Sequence, residues 1–265
     1  MIGLLGRILA NRLVAVATIL TVGPVVFATA LAQPQTHRAD YKVSLLGIPM
    51  ASINFIIRID GASYEISGNL QTSFLAEIIE PTRGTILSSG QISGEKFQAK
   101  EFDIQYTSGK KRYRAAMTLS GGNVRSSLVE PSKKKPSNWV PVTNAHRRSV
   151  VDPLAGLIFP RGIKPCPQTI AVYDAESRFD LKLSPVGVRP YSTKGFSGDA
   201  LVCSMSFVPK AGYRKDNSQI DYVRKLKGME LWFAVHPEGG YSAPVYAKIP
   251  TKVGIMIVAA ARFGS

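Results

Sequence analysis

The side chains that could support hydrolysis or metal binding are few and widely separated in this chain. Its histidines are His37, His146 and His236, and none has the spacing of a metal-binding motif such as HExxH. No GxSxG segment is present to hold a serine nucleophile on a strained turn. The sequence therefore predicts no catalytic residues, no metal site and no cofactor, and we expect a protein that is not an enzyme.

Two pairs of carboxylates are the remaining candidates for acid–base chemistry. Glu77 and Glu80 lie close together in the sequence, and Asp216 and Asp221 flank a polar segment. A catalytic carboxyl group needs a pKa that burial has raised, and neither pair occurs where the sequence indicates burial. We expect all four to be solvated surface charges.

Cys166 and Cys203 are the two cysteines of the chain. In an oxidising compartment an isolated pair is more often a structural disulfide than a metal or redox site, and no CxxC motif occurs. We predict a disulfide between them, which typically stabilises a fold by roughly 2–4 kcal/mol.

The first 32 residues resemble a secretory signal peptide. Arg7 and Arg12 precede an acid-free apolar segment, residues 13–31, and small residues follow it. This pattern predicts cleavage between Ala32 and Gln33 and hence an exported, periplasmic protein. Residues 33–265 would then be a single domain with no transmembrane segment.

A retained membrane anchor is the alternative for this segment. Its length approaches that needed to span a bilayer, although Gly23-Pro24 interrupts it. The residue directly after Ala32 is Gln33 and not cysteine, so the sequence does not predict a lipoprotein anchor.

The chain is strongly basic, with a formal net charge of +15. Outside the cytoplasm such a charge would attract anionic lipid head groups or other envelope polyanions rather than nucleic acid. The alternative is a basic protein with no anionic partner. The clearest basic loop, residues 130–141, contains Lys133, Lys134 and Lys135, and these three are the candidate contacts for an anionic ligand.

Apolar and polar residues alternate with a period of two through much of the chain. Ile53, Phe55, Ile57 and Ile59 would share one face of a strand, with Ile56 as the exception. The same reasoning indicates further strands at residues 41–46, 64–70, 83–89, 113–119, 124–129, 169–173, 179–183, 201–209, 229–235, 245–249 and 254–262. Each pattern is typical of an antiparallel sheet with one wet face.

Three local signals modify this pattern. The parity of apolar positions changes between Phe97 and Phe102, which predicts a β-bulge that bends the sheet. Residues 73–79 indicate a short helix or turn. Asp152-Pro153 predicts the start of a second helix that runs to Phe159, since Asp can cap a helix and Pro fits its first turn.

The order of several short motifs resembles the bacterial family of unknown function numbered 3108. The motifs are Tyr41-Lys42-Val43, Ala51-Ser52-Ile53, Tyr64-Glu65-Ile66, Ser89-Gly90, Val151-Asp152-Pro153-Leu154, Leu231-Trp232-Phe233 and Pro244-Val245. The resemblance implies an exported β protein, similar in outline to β-spiral envelope-integrity proteins and to lipoprotein carriers with an unclosed barrel. It implies no catalytic residues.

We therefore expect an all-β, mainly antiparallel fold: a strongly curved β-spiral or incompletely closed barrel with one or two short helices. The leading hypothesis is a non-enzymatic periplasmic protein that supports cell-envelope integrity and binds a lipidic or acylated ligand. A periplasmic protein-interaction module is the alternative. An enzyme acting on envelope polymers is the weakest, because it would need paired carboxylates in a pocket or a serine beside His146 or His236.

The cleavage prediction can be checked by N-terminal sequencing of the exported protein. We expect the mature chain to begin at Gln33, because Ala30 and Ala32 supply the small residues that signal peptidase reads. An intact Met1 in the membrane fraction would contradict cleavage.

Overall fold

The computed structural model describes residues 34–132 and 134–265. The predicted signal peptide, residues 1–32, lies outside them, as do Ala32 and Gln33 of the predicted cleavage site. The described residues belong to one compact unit in which strands dominate. None of their helices is long and apolar enough to cross a membrane.

The strands of the first half are β1 (Gln35–Leu45), β2 (Ile48–Asp60), β3 (Ser63–Thr72), β4 (Thr82–Ser93), β5 (Lys96–Ser108), β6 (Lys111–Ser120), β7 (Asn123–Glu130) and β8 (Trp139–Val140). Those of the second half are β9 (Phe159–Pro160), β10 (Gln168–Tyr173), β11 (Arg178–Thr193), β12 (Phe196–Ala211), β13 (Tyr213–Arg214), β14 (Met229–Val235), β15 (Tyr241–Thr251) and β16 (Gly254–Phe263). The helices are α1 (Phe74–Ile79), α2 (Ser218–Lys225) and the 3-10 turns Ala145–Arg147 and Ala155–Leu157.

One large antiparallel sheet contains nearly all of these strands. Its order is β10-β11-β12-β14-β15-β16-β1-β2-β3-β4-β5-β6-β7, with β9 paired to β15, and β8 and β13 form a separate ribbon. Strand β1 pairs with β16, so the N-terminal and C-terminal meanders meet in the middle of the sheet. The path starts at β10 and ends at β7 without closing into a barrel, which confirms the predicted all-β, incompletely closed class.

Apolar and polar residues that alternate in the sequence lie on the buried and the exposed face of the sheet, respectively. Ile57 and Ile66 are buried side by side, whereas Arg58 and Glu65 form an ion pair on the opposite face. Ile56, the predicted exception, is exposed. Antiparallel strands with one wet face produce this pattern directly, which is why the predicted strands coincide with parts of the observed ones.

The predicted β-bulge is present in β5. Ser89 pairs with Glu101 and Gly90 with Ala99, which leaves Lys100 as the extra residue. A side chain at Gly90 would lie 2.0 Å from the Gln98 carbonyl oxygen, so only glycine allows this close approach. Because of the bulge, the core-facing residues of β5 change from odd positions to even positions, and the sheet bends there.

The predicted disulfide between Cys166 and Cys203 is also present, with Cα atoms 6.2 Å apart. Both residues are buried, and they join the segment before β10 to the centre of β12. Their side chains belong to a small apolar cluster with Phe159 and Phe233.

The prediction of a helix from Asp152 to Phe159 is wrong. Only the 3-10 turn Ala155–Leu157 forms, and Phe159–Pro160 instead pairs with β15. A side chain at Gly156 would lie 2.8 Å from Val151 Cγ2, so the segment is held too close to its neighbours for a regular helix with side chains on every face. The residues before it are extended and bonded to other strands.

That segment joins the two ends of the sheet. The Val150 N–H donates to the Gly122 carbonyl in the β6–β7 turn, at 2.8 Å. The Val151 N–H donates to the Ala171 carbonyl on β10, and the Tyr173 N–H donates back to the Val151 carbonyl, both at 2.9 Å. Residues 150–151 therefore bridge the gap that the sheet itself leaves open.

Asp152 fixes the segment to the face of the sheet. The carboxylate is fully buried and accepts the Leu154 N–H at 2.8 Å and the Ala155 N–H at 3.0 Å. Its second oxygen accepts the Ser88 hydroxyl at 2.9 Å, and the Tyr64 hydroxyl lies 3.4 Å from that of Ser88. The network satisfies a buried carboxyl group that would otherwise destabilise the fold.

Replacing Ser88 with alanine should lower the free energy of unfolding by about 1–3 kcal/mol, because one oxygen of the buried Asp152 then loses the hydrogen bond from the Ser88 hydroxyl. Urea denaturation of Ser88→Ala measures this change. The control is Ser126→Ala, which removes an exposed hydroxyl pair with Thr118 and should cost much less. Equal effects in the two variants would contradict a structural role for the buried network.

Candidate functional site

The face of the sheet that carries the core is divided into a filled half and an open half. In the filled half, one ladder of paired residues crosses β2 to β6 beneath Asp152, and each member is at most 3% exposed. Its members are Ile57, Ile66, Ser88, Phe102 and Met117. The segment around residues 150–159 packs here and leaves beside it a small cavity of about 170 Å³, lined by Phe97 and Gly156 among others.

Two further ladders on the same face lie toward the other ends of these strands. They are not fully covered: most of their side chains are half-buried, and Tyr106 is 37% exposed. We call them the open ladders. The first contains Ile53, Leu70, Gly84, Tyr106 and Tyr113, and the second contains Phe55, Gly68, Ile86, Ile104, Ala115 and Val129.

Two glycines in the open ladders make space for aromatic rings. A Cβ at Gly68 would lie 2.6 Å from the Phe55 ring, and one at Gly84 would lie 2.7 Å from Tyr106 Cβ. Tyr106 and Tyr113 stack, with ring centroids 4.8 Å apart and planes 20° apart. The result is a continuous apolar and aromatic surface that crosses β2 to β7.

The opposite face of the same strands is polar. Residues of both faces line a shallow groove of about 710 Å³, among them Arg112 and Arg114 and the open-ladder members Leu70, Tyr106 and Tyr113. Arg83 pairs with Glu77, and Arg114 donates to Asp103 at 2.9 Å, so both guanidinium groups are neutralised. Arg112 is exposed and has no ion-pair partner among the described residues. This strand region therefore offers an apolar face on one side and an unpaired cation at its edge.

The candidate anionic-ligand contacts have different surroundings. Lys133 lies outside the described residues, and Lys134 is exposed. Lys135 pairs with Glu176 and lies 4.1 Å over the Trp139 ring, in a neighbouring cavity of about 460 Å³. The charge of Lys135 is thus already matched within the protein, and its cavity also contains Val129, the β7 member of the open ladders.

A basic cavity forms where residues distant in sequence meet. The adjacent Arg147 and Arg148 and Arg125 of β7 surround a cavity of about 560 Å³. Asn123 and Asn144 complete its lining. Its position between the β6–β7 turn and the Ala145–Arg147 turn depends on the fold and could not be read from spacing.

The structure brings together two of the three histidines, which the sequence did not predict. His37 on β1 and His236 after β14 are both buried, with ring centroids 4.7 Å apart. His37 Nδ1 lies 3.6 Å from a carboxylate oxygen of Glu238, and Tyr241 stacks on His236. His146 is elsewhere, where its Nδ1 accepts the Thr143 N–H within a local turn.

His37, His236 and Glu238 bring three potential ligand atoms within 4.8 Å of one another, but they do not fit a metal ion well. Nδ1 of His236 already accepts the Gly239 N–H at 3.1 Å. Because Nδ1 acts as an acceptor, the ring proton of neutral His236 lies on Nε2, which then cannot bind a cation. The cluster is better described as a buried histidine pair beside a carboxylate.

The carboxylates considered for acid–base chemistry are engaged on the surface. Glu77 pairs with Arg83, Glu80 accepts the Ser108 hydroxyl at 2.8 Å, and Asp221 pairs with Arg224 at 2.8 Å. Asp216 lies 3.5 Å from Arg214. Each therefore has an ordinary partner for a surface charge, as expected from the sequence.

Comparison with known proteins identifies the family of this chain. A family model described as a protein of unknown function, DUF3108, matches residues 40–260. The chain belongs to the DUF3108 family. Two DUF3108 motifs noted above have structural roles, since Ser89-Gly90 faces the bulge and Val151-Asp152 anchors the bridging segment.

Among solved structures, the chain is similar to a β-barrel-like protein of the domain of unknown function DUF1849 from Brucella abortus. The two are 8% identical with a TM-score of 0.48, and the match covers 86% of this DUF3108 chain and 96% of the other chain. No curated protein matches the sequence.

Two buried groups should respond to pH in opposite directions. Burial raises the pKa of Asp152 to about 6, so its contribution to stability is lost as pH rises from about 4 to 6. Burial, with a smaller effect from His37, lowers the pKa of His236 to about 4. The contribution of His236 is therefore lost as pH falls from about 6.5 to 4.

In the wild type, the pH dependence of stability from Asp152 offsets that from His236. The Asp152→Asn variant should therefore show the His236 contribution alone. Relative to wild type, its free energy of unfolding should fall by roughly 2–3 kcal/mol more between pH 6.5 and pH 4. Urea denaturation across this range measures the difference, and Asp216→Asn, at an exposed carboxylate, should keep the wild-type profile. Parallel profiles for Asp152→Asn and wild type would refute this assignment.

Proposed function

We propose that this DUF3108 protein is a non-enzymatic periplasmic protein of the cell envelope that binds a lipidic or acylated ligand on the open ladders. The observation that carries the proposal is the division of the core face. One half is filled by the Asp152 segment, and the other keeps half-exposed apolar and aromatic side chains across β2 to β7.

The dimensions of the open ladders suit an acyl chain. Six strands give five intervals of about 4.8 Å, and hence an apolar strip roughly 24 Å long. The side chains along it carry no charge, and binding an acyl chain there would remove their exposed apolar surface from water. The stacked rings of Tyr106 and Tyr113 lie at one end of this strip.

A cationic turn next to that end would bind an anionic head group. Lys110 lies in the β5–β6 turn and Lys111 begins β6; both are exposed, and within the described chain no acid pairs with them, whereas Arg112 projects from the opposite face. Tyr113, the next residue, is a member of the first open ladder. The order of residues thus places a positive head-group site beside an apolar tail site, and the chain's charge of +15 has the same sign.

A protein-interaction module remains the second candidate, because β7 ends the path of the sheet. Leu128 on β7 is exposed. A strand at the edge of a sheet can pair with a strand from a partner protein. In that case the partner would bind the β7 edge, and the open ladders would stay without a ligand.

Native mass spectrometry of protein purified from the periplasm, followed by organic extraction, tests the proposal. We expect an added mass that the extract identifies as a lipid or acylated molecule. Tyr106→Asp should remove that mass, because it places a charge in the apolar strip. Thr107→Asp, next in sequence but on the opposite face, should retain it, and circular dichroism should show that both variants fold.

A clean mass without ligand in the wild-type protein would contradict lipid binding. Co-purification of one stoichiometric protein, with no lipid, would favour the interaction module instead. Loss of the ligand in both variants would show that it does not bind to the open ladders.

A further inference from the structure

Two neighbouring hairpin turns carry large apolar side chains into solvent. In the β1–β2 turn, Leu46 is 66% exposed and Ile48 is 49% exposed. In the β15–β16 turn, Val253 is 67% exposed and Ile255 is 45% exposed. Burying such side chains is favourable, and their exposure at turn tips indicates a surface that meets an apolar environment.

The two turns form one surface. The Leu46 N–H donates to the Ile255 carbonyl at 3.1 Å. A side chain at Gly254 would lie 2.3 Å from Leu46 Cδ2, which shows that the leucine side chain covers the second turn. We call the surface of Leu46, Ile48, Val253 and Ile255 the apolar rim.

The turns at the opposite end of the N-terminal strands, which join β2 to β3, β4 to β5 and β6 to β7, have a different composition. They consist of Asp60-Gly61-Ala62, Ser93-Gly94-Glu95 and Ser120-Gly121-Gly122, which contain no large apolar residue. Small and charged residues are the usual choice for exposed hairpin turns. The sheet therefore presents an apolar end and a polar end.

The apolar rim continues into the end of the sheet that holds the open ladders. The Ser73 N–H donates to the Met50 carbonyl, which ties α1 to the start of β2. The Gly109 N–H donates to the Pro81 carbonyl, which ties the β5–β6 turn to the segment after α1. Ile78 of α1 is 71% exposed in the same row of turns.

Lysines flank the apolar rim on both sides. Lys252 precedes Val253 and lies 5.3 Å from the Tyr222 ring of α2, a helix that ends at the exposed Lys225 and is followed by the exposed Lys227. On the other side the β5–β6 turn supplies Lys110 and Lys111. Among the nearby acids, Glu77 pairs with Arg83 and Asp221 with Arg224, while Glu80, beside the Gly109 turn, accepts the Ser108 hydroxyl and keeps its charge.

We infer that the apolar rim docks on an anionic phospholipid bilayer, with Leu46 and Val253 entering the interface and the flanking lysines binding head groups. Positive charge on both sides of the rim would repel a second copy of the chain but attract an anionic membrane. This inference rests on the proposed function, because docking here would bring the open ladders to the membrane from which an acylated ligand is taken or to which it is delivered.

The double variant Leu46→Asn and Val253→Asn tests this inference in the exported protein. Asparagine tolerates the left-handed backbone at Leu46, where φ is 53°. Binding is measured by co-sedimentation with vesicles of phosphatidylglycerol and phosphatidylethanolamine, and with phosphatidylcholine vesicles. We expect the wild type to bind the anionic vesicles in preference, and the variant to bind them about tenfold more weakly or worse.

The matched control is Val186→Asn and Val188→Asn, which removes two valines of β11 that are 56% and 59% exposed. It should bind anionic vesicles like the wild type. Equal weakening in both double variants, or unchanged binding in the rim variant, would overturn the inference. If the wild type is a dimer, the rim variant is a monomer and vesicle binding is unchanged, then a second copy covers the rim instead.

Docking and ligand binding can fail separately. Tyr106→Asp should lose the ligand mass but still sediment with anionic vesicles, because the apolar rim is intact. If wild-type protein carries no ligand but binds vesicles through the rim, docking stands without the proposed function. If it carries ligand but ignores anionic vesicles, the proposed function stands and docking is wrong.

Discussion

The buried carboxylate of Asp152 is the interaction on which the arrangement of this protein depends. It holds the turn at residues 154–157 through two backbone N–H groups and holds the sheet through Ser88. The residues just before it bridge the β6–β7 turn and β10. One side chain therefore holds in place the segment that fills part of the core face and bridges the two ends of the sheet.

The same anchor determines where an open surface remains. Because the Asp152 segment is short, it covers the Ser88 ladder but cannot reach the whole length of β2 to β6. The ladders nearer Tyr106 keep half-exposed apolar side chains as a result. Ligand binding and membrane docking are both proposed at this end, since apolar surface is exposed there on the core face and at the turns.

Alternation made the strands predictable, because each antiparallel strand has one wet and one buried face. The parity change between Phe97 and Phe102 revealed the bulge for the same reason. The helix from Asp152 to Phe159 was predicted from capping signals that are real, since Asp152 does cap a turn. Tertiary contacts of Gly156 prevented the helix, and no local pattern reports such contacts.

The site was less predictable than the fold. His37 and His236 meet only because β1 and the β14–β15 hairpin are close in the folded sheet, and their sequence separation conceals this. Arg125 joins Arg147 and Arg148 for a similar reason. The stacked pair Tyr106 and Tyr113 was within reach of the sequence, because a hairpin turn at Gly109-Lys110 places them opposite each other.

The pairing of β1 with β16 has a consequence for how the chain folds. The central seam of the sheet joins residues from the beginning and the end of the described chain, such as Ala39 and Phe263. Contacts of such large sequence separation form slowly, because the intervening chain must first be ordered. The N-terminal meander must therefore wait, with one edge of β1 unpaired, until the last strand has emerged and docked against it.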